Sequence, residues 1–227
     1  MQTVTTNTLT DTMYYKNIPV VAYKIDYPSF TTTCSAKAGE SINAYYARIA
    51  QNTQDYCRKV IFAQAVQDAD YIQGTRPFNA YTLDVVFQIT YNSECITSLY
   101  TDTYTYTGGA HGQTIRTSDT WDFSSGKRLR LTDFYPLTPS SLHQLQGSME
   151  SQIAQRLMEN PGTYFDDYKT LLHNTFRINN FYVEPGKLVI YFQQSQSPSQ
   201  CKIQTAKNGP SRFSRRNGPF YILLFYC

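Results

Sequence analysis

The best candidates for catalysis or ligand binding lie in a short glycine-rich segment, residues 106–112, whose sequence is Tyr-Thr-Gly-Gly-Ala-His-Gly. This segment closes a long run of threonine and tyrosine that is typical of a β-strand. Three glycines within five residues indicate a backbone that needs positive φ angles or a close approach to another group. His111 stands in this predicted loop rather than on an apolar face, which leaves open the roles of general base, metal ligand and contact for a partner.

A metal role for His111 has little support, because no second histidine or carboxylate stands at ligand spacing beside it. His143 and His173 lie on or near later predicted helices and do not pair with it in sequence. The alternative is a structural turn, in which the glycines set the backbone and His111 hydrogen-bonds to it. The sequence predicts no metal, no cofactor and no catalytic motif of known mechanism.

Three aspartates beyond the loop, Asp119, Asp122 and Asp133, suggest glycoside chemistry, which uses a pair of carboxyl groups at a fixed separation. Sequence alone cannot set that separation. Asp133 reads better as the cap of a turn, and Asp122 reads better as a residue of the hairpin that contains it. We therefore predict no catalytic residue and interpret the chain as non-enzymatic.

Aromatic side chains near the loop could form a face that binds a sugar or a protein. They are Tyr100, Tyr104, Tyr106 and Trp121. Alternation along the strands would place half of such residues in a core instead. The residues that we predict to bind a ligand are Tyr106, Gly108, Gly109, His111, Gly112 and Trp121.

Composition limits the class of protein. The 227 residues carry 16% charged and 15% aromatic side chains, with 20 tyrosines, which favours a strand-rich fold outside the cytosol. The net charge of +3 is too small to indicate nucleic-acid binding. The first residues show no basic-then-apolar leader, so no signal peptide is predicted, and no apolar run is long enough to span a membrane.

The cysteines leave the redox state open. They stand at positions 34, 57, 95, 201 and 227. No pair has the Cys-x-x-Cys spacing of a zinc or thioredoxin-like site. In an oxidising compartment Cys34 could pair with Cys57 or Cys95, whereas the alternative makes Cys57 and Cys95 small buried apolar residues.

Hydrophobic periodicity predicts an α+β fold with antiparallel sheet. Strands are predicted over 18–27, 80–91, 94–107, 117–123 and 128–131, and a last hairpin over 181–192. A long N-terminal helix over 39–70 would bury Ile42, Tyr45, Ile49, Tyr56, Val60 and Ala63. A second helix near 139–158 would bury Leu142, Leu145, Met149, Ile153 and Leu157, and a short one is predicted over 164–172.

Several of these stretches resemble an extracytoplasmic domain of unknown function. The similar residues are the 106–112 segment, Asp122-Phe123 with Gly126-Lys127, Leu131-Thr132-Asp133-Phe134, and the 188–194 stretch. The family includes the lysozyme-sensing anti-sigma factor and the N-terminal region of a peptidoglycan deacetylase of Gram-positive bacteria. The resemblance covers about residues 14–194 and implies a location in the cell envelope or outside the cell.

The resemblance also implies a function and a domain division. It implies a binding or sensor domain for a lysozyme-like protein or peptidoglycan, or else an accessory module of a peptidoglycan-modifying enzyme. The four predicted parts are a disordered lead-in (1–13), a helix-and-strand segment (14–75), a GGAHG-bearing α+β segment (76–194) and a basic tail (195–227). The tail has five basic and no acidic residues, and it departs from the family, so we interpret it as an altered end.

Overall fold

A computed structural model describes residues 1–72, 77–162, 164–193 and 221–225. Its strands are β1 Thr3–Tyr15, β2 Ile18–Thr31, β3 Tyr81–Ser93, β4 Ile96–Tyr106, β5 Gln113–Asp122, β6 Lys127–Arg128, β7 Phe181–Glu184, β8 Lys187–Tyr191 and β9 Tyr221–Phe225. Its helices are α1 Ala36–Tyr56, α2 Phe62–Ile72, α3 Leu131–Phe134, α4 Pro139–Glu159 and α5 Tyr168–Thr175. A π-helical turn, Cys57–Ile61, joins α1 to α2. The α+β class is confirmed.

Strands β1 to β6 form one sheet in their order along the chain. Neighbouring strands are antiparallel except for β2 and β3, which run parallel because α1 and α2 form the crossover between them. The sheet is mostly antiparallel, as the sequence predicted, and the parallel β2–β3 pair is a detail that the sequence did not indicate. The predicted boundary at 75/76 falls between β2 and β3, so the two predicted segments share this sheet.

The long N-terminal helix packs on one face of the sheet with its small residues. Ala50, Cys57, Ile61 and Ala65 are buried against a strand layer that includes Leu83. Small side chains allow a helix to lie close to a sheet, and the π-helical turn shifts the contact stripe. The predicted stripe was therefore mostly wrong: Ile42 is buried, whereas Ile49, Tyr56 and Val60 are exposed.

A second, smaller sheet has the order β7-β8-β9. Helix α4 covers it with Leu145, Met149 and Ile153, all buried, as the sequence predicted. Thr138 caps α4 by accepting a hydrogen bond from the Ser141 backbone amide, and Pro139 occupies the first turn. The basic tail lies outside the described residues apart from the backbone of β9, so its status as an altered end stays a prediction.

Buried hydroxyl groups join the two sheets. The Ser98 hydroxyl accepts a hydrogen bond from the Val183 backbone amide at 2.9 Å, and it lies 2.8 Å from the Thr120 hydroxyl. The Ser118 hydroxyl donates to the Phe181 carbonyl at 2.5 Å. Because Ser98, Ser118 and Thr120 occupy even positions of β4 and β5, the small sheet covers the face opposite to α1.

The N-terminal residues correct a sequence prediction. Residues expected to be a disordered lead-in form β1, which pairs with β2 along its length. Alternating threonines make few hydrophobic contacts and so resemble a linker in composition, but β-branched residues suit an edge strand. Gln2 fixes the start of this strand, because its backbone amide donates to the Asn92 side chain at 2.9 Å.

One of the two open disulfide pairings is present. Cys34 and Cys95 form a disulfide that joins the segment before α1 to the β3–β4 turn. Cys57 is a free, buried thiol, and burial raises its pKa to about 11. The alternative in which Cys95 is a buried apolar residue was therefore wrong. Cys201 and Cys227 lie outside the described residues.

Candidate functional site

The glycine-rich segment forms the loop between β4 and β5. Gly108 and Gly109 both have φ angles of +91°, which side-chain-bearing residues rarely adopt. The Tyr106 hydroxyl donates a hydrogen bond to the Gly109 carbonyl at 3.1 Å and so folds the loop back onto its own strand. The prediction that these glycines serve positive φ angles is confirmed.

Gly112 meets the second need predicted for the glycines, because its missing side chain lets the Tyr104 ring lie close to the backbone. A Cβ atom on Gly112 would lie 2.5 Å from Cζ of Tyr104, well inside contact distance. The Tyr104 ring therefore lies directly against the loop backbone while 37% of the residue stays exposed. This contact sets the direction in which the outer face of the ring points.

The loop also rests on the beginning of β3. A Cβ on Gly108 would lie 3.6 Å from Cε1 of Tyr81, which is ordinary van der Waals contact. The Tyr81 hydroxyl donates to the Asp68 carboxylate of α2. Burial and this carboxylate raise the pKa of Tyr81 to about 12, so the phenol stays protonated at neutral pH. The base of the loop is thus tied to the helix layer.

His111 lies on the exposed side of the loop. Its Nδ1 atom is 3.2 Å from the carbonyl oxygen of Gly112, so the ring interacts with the backbone of its own loop. This contact fits the structural-turn alternative, and it leaves the outer edge of the ring available to a ligand. The predicted ligand-binding residues Tyr106, Gly108, Gly109, His111 and Gly112 all lie in or beside this loop.

Trp121 does not belong with them. It lies at the other end of β5, eight residues from Gln113 and so about 25 Å from the loop. It is only 7% exposed and packs against Tyr45 and Tyr46 of α1. The structure corrects the prediction that Trp121 binds a ligand, because its position along β5 directs the side chain into the core on the helix side of the sheet.

Sequence reasoning missed a buried polar cluster around Trp121. The indole nitrogen donates to the Tyr46 hydroxyl at 2.8 Å, and that hydroxyl donates to Asp119 at 3.1 Å. Arg128 Nε lies 2.6 Å from the other Asp119 oxygen, although that oxygen has no aligned hydrogen bond. Burial outweighs the charge of Arg128 and raises the pKa of Asp119. The signal in the sequence was the spacing of Asp119 and Trp121, since residues two apart on a strand lie on the same face.

The other two aspartates have local structural roles, as predicted. Asp122 accepts hydrogen bonds from the Ser124 amide and the Ser125 hydroxyl in the β5–β6 turn. Asp133 accepts from the Arg130 amide at 2.7 Å and caps the short helix α3. Hydrogen bonding to that amide and to Lys127 lowers the pKa of Asp133.

An open face of the sheet continues from the loop. The strand register places Tyr104 beside Asp84 of β3 and Thr114 of β5, and it places Tyr106 beside Thr82. These residues occupy even positions, which point away from α1. We call Tyr104, Tyr106, Gly108, Gly109 and His111 the loop-end surface. It combines one exposed aromatic ring with hydrogen-bonding groups.

The inner border of this face is rigid. Arg116 makes two bonds to the Asp102 carboxylate, at 2.7 and 2.6 Å, and its guanidinium lies 3.7 Å from the centre of the Tyr100 ring. The Gln193 side-chain amide bonds both the amide and the carbonyl of Arg116, as a neighbouring strand would. This arrangement closes the edge of β5 at that point.

The described residues contain neither a cluster of metal-ligating side chains nor a helix suited to span a membrane. Within residues 1–72, 77–162, 164–193 and 221–225, no group of three or more histidine, cysteine or acidic residues is placed to hold a metal ion. In the same ranges, no helix is both long and apolar enough to span a bilayer.

Comparison with known proteins supports a similarity to a DUF3298/PdaC-like domain. Residues 15–114, which include the whole loop, match the family model described as Deacetylase PdaC. A crystal structure of a DUF3298 family member from Bacteroides fragilis superposes with a TM-score of 0.60 at 14% identity, covering 80% of this chain and 79% of that one. The chain therefore has the fold of that DUF3298 protein.

A second DUF3298 family structure, from Pseudomonas aeruginosa, has a TM-score of 0.46 at 13% identity, covering 74% of this chain and 73% of that one. No curated protein sequence matches the chain. The match to the Deacetylase PdaC family model, over residues 15–114, covers the helix-and-strand segment and the loop.

Proposed function

We propose that this chain is a non-catalytic binding domain of the cell envelope, and that its ligand docks on the loop-end surface. The observation that carries the proposal is the Tyr104 ring, whose outer atoms lie against Gly112 while 37% of the residue stays exposed. An exposed ring in a fixed orientation is prepared for stacking, since little conformational freedom is lost when a ligand binds.

The surroundings of the ring favour a glycan, and peptidoglycan is the first ligand that we propose. Sugar rings present apolar C–H faces between hydroxyl groups, so they need an aromatic surface with polar neighbours. Asp84 and Thr114 flank Tyr104 in the strand register, and His111 and the loop backbone lie beyond it. The match to a family described as a deacetylase named PdaC supports a wall-related ligand.

The Cys34–Cys95 disulfide supports a location outside the cytosol. Structural disulfides form and persist in oxidising compartments and are rare where thiols are kept reduced. An extracytoplasmic location agrees with this bond and would bring the domain into contact with wall polymers and with secreted hydrolases.

The non-enzymatic part of the proposal rests on how the candidate catalytic groups are used. His111 contacts its own loop backbone, Asp119 is buried in an ion pair with Arg128, and Asp133 caps a helix. Each group has a structural partner that explains its position.

A second candidate function is an accessory module that brings a peptidoglycan-modifying enzyme to its substrate. The match of residues 15–114 to the Deacetylase PdaC family favours it. A third reading, a sensor for a lysozyme-like protein, uses the same surface, since tyrosine is also common at protein interfaces.

Parallel titrations of the full chain with soluble peptidoglycan fragments and with lysozyme separate these readings. We expect saturable binding of the glycan fragments, measured as heat by calorimetry. Binding of lysozyme with no response to glycan would favour the sensor instead. A folded chain that binds neither partner would contradict the proposal.

A further inference from the structure

Strand β1 presents a long edge to solvent. It has 13 residues and pairs only with β2, and no strand of the described part of the chain lies on its other side. Its length is about 44 Å at the usual rise per residue. On the outer side every second residue directs its amide and carbonyl groups away from β2.

From Thr3 to Met13, this edge lacks the features that normally prevent strand pairing, and the only register shift with β2 follows Met13. Protective edges carry proline, lysine or a bulge that interrupts the ladder. Thr3–Tyr15 has no proline and no basic residue, and the register with β2 is continuous from Thr3 to Met13. Its one charged residue, Asp11, is paired with Arg58 at 3.0 Å. The edge is therefore well suited to accept another strand.

We propose that a second copy of this chain pairs with β1 in antiparallel orientation, about a two-fold axis at Leu9. The register that overlaps all 13 residues is self-complementary. It places Thr8 opposite Thr10 of the second copy and Thr6 opposite Thr12 of the second copy. Asp11 meets the neutral Asn7 of the second copy, so no like charges face each other.

Threonine pairs across strands stabilise a sheet, and here they would form on the face that carries Tyr104. The two six-stranded sheets would become one sheet of twelve strands, with a loop-end surface on each half. One strand pair buries little area, so we expect a concentration-dependent dimer rather than a permanent one. This inference does not depend on the proposed function.

Two charge variants of the full chain test the pairing. In Thr8→Lys/Thr10→Lys, lysines face lysines across the axis, whereas in Thr8→Lys/Thr10→Glu each lysine faces a glutamate. Thr8 and Thr10 are exposed, so both variants should keep the wild-type circular dichroism spectrum. By sedimentation equilibrium, we expect the all-lysine variant to raise the dimer dissociation constant about tenfold or more, and the matched variant to dimerise at least as well as wild type.

A cysteine cross-link tests the register itself. In a Cys201→Ser/Cys227→Ser background, Leu9→Cys should form a disulfide-linked dimer under mild oxidation, because residue 9 meets itself at the axis. Thr3→Cys is the control, since its two copies would lie about 40 Å apart. A wild-type chain that is monomeric at all concentrations, or a dimer that the all-lysine variant does not weaken, would overturn the proposal.

Discussion

At the residue scale, the loop is defined by what its glycines allow. Gly108 and Gly109 supply positive φ angles, whereas Gly112 leaves room for the Tyr104 ring. Both needs were predictable from three glycines in five residues. Which glycine serves which need was not predictable, because the close approach depends on a residue of the preceding strand.

The substitution Gly112→Ala should separate binding from stability. The added methyl group collides with the outer atoms of Tyr104, which can swing towards solvent, so we expect a loss of stability of about 1 kcal/mol or less. The displaced ring should weaken glycan binding several-fold. Urea denaturation and calorimetry measure the two effects, and unchanged binding would argue against a role for the ring orientation.

The Tyr46 hydroxyl links Trp121 to Asp119 inside the core. Tyr46→Phe would leave an indole donor and a carboxylate oxygen without this partner, so we expect a loss of about 1–3 kcal/mol in the free energy of unfolding. The control is Tyr45→Phe, whose ring also contacts Trp121 but whose hydroxyl is not in this chain of bonds. Equal effects of the two substitutions in urea denaturation would contradict this account.

The raised pKa of Asp119 predicts a pH dependence of stability. Because the folded state favours the protonated acid, this stabilisation is fully present below the ordinary carboxyl pKa. It is lost as the pH rises through the higher folded value. Relative to Asp119→Asn, the wild type should therefore lose stability as the pH rises from acidic towards neutral. Denaturation at several pH values measures the difference, and the opposite slope would show that the Arg128 ion pair dominates.

At the element scale, hairpins were more predictable than helix faces. The β3–β4 and β7–β8 hairpins follow from alternation, which acts locally, although the β3–β4 turn lies at Glu94-Cys95 rather than at the predicted Asn92-Ser93. The phase of the long N-terminal helix was wrong because its buried stripe uses Ala50 of α1, Cys57 of the π-helical turn and Ala65 of α2, which carry little hydrophobic signal. The π-helical turn adds a register change that a fixed period cannot represent.

The disulfide connects two elements far apart in sequence, with a separation of 61 residues. Cys34→Ser/Cys95→Ser should lower the free energy of unfolding by about 4 kcal/mol, since the bond restricts a long loop in the unfolded chain. A reducing agent should produce a similar loss in the wild type and little further change in the variant. Chemical denaturation with and without reductant makes this comparison. Insensitivity of the wild type would contradict the pairing.

At the scale of the whole molecule, the sequence predicted the class but not the way the parts meet. The α+β class followed from alternating and helical periods, whereas the β2–β3 pairing and the contact between sheets depend on long-range packing. For the same reason Trp121 was predicted to bind a ligand together with the loop residues, although it lies in the core. Trp121 follows the loop in sequence, but it is near the last residue of the ten-residue strand β5 and so lies at the far end of the sheet.

Tyr104 on the loop-end surface is the residue that we propose to stack on a glycan of the cell envelope. The most direct test is calorimetric titration of the full chain with peptidoglycan fragments, comparing wild type, Tyr104→Ala and Tyr56→Ala. Tyr56 is an exposed tyrosine of α1, on the opposite side of the sheet, and serves as the matched control. We predict that Tyr104→Ala weakens binding about tenfold or more, as loss of one stacking contact implies, and that Tyr56→Ala leaves it unchanged. Equal binding by all three proteins, or no binding by the wild type, would contradict the account.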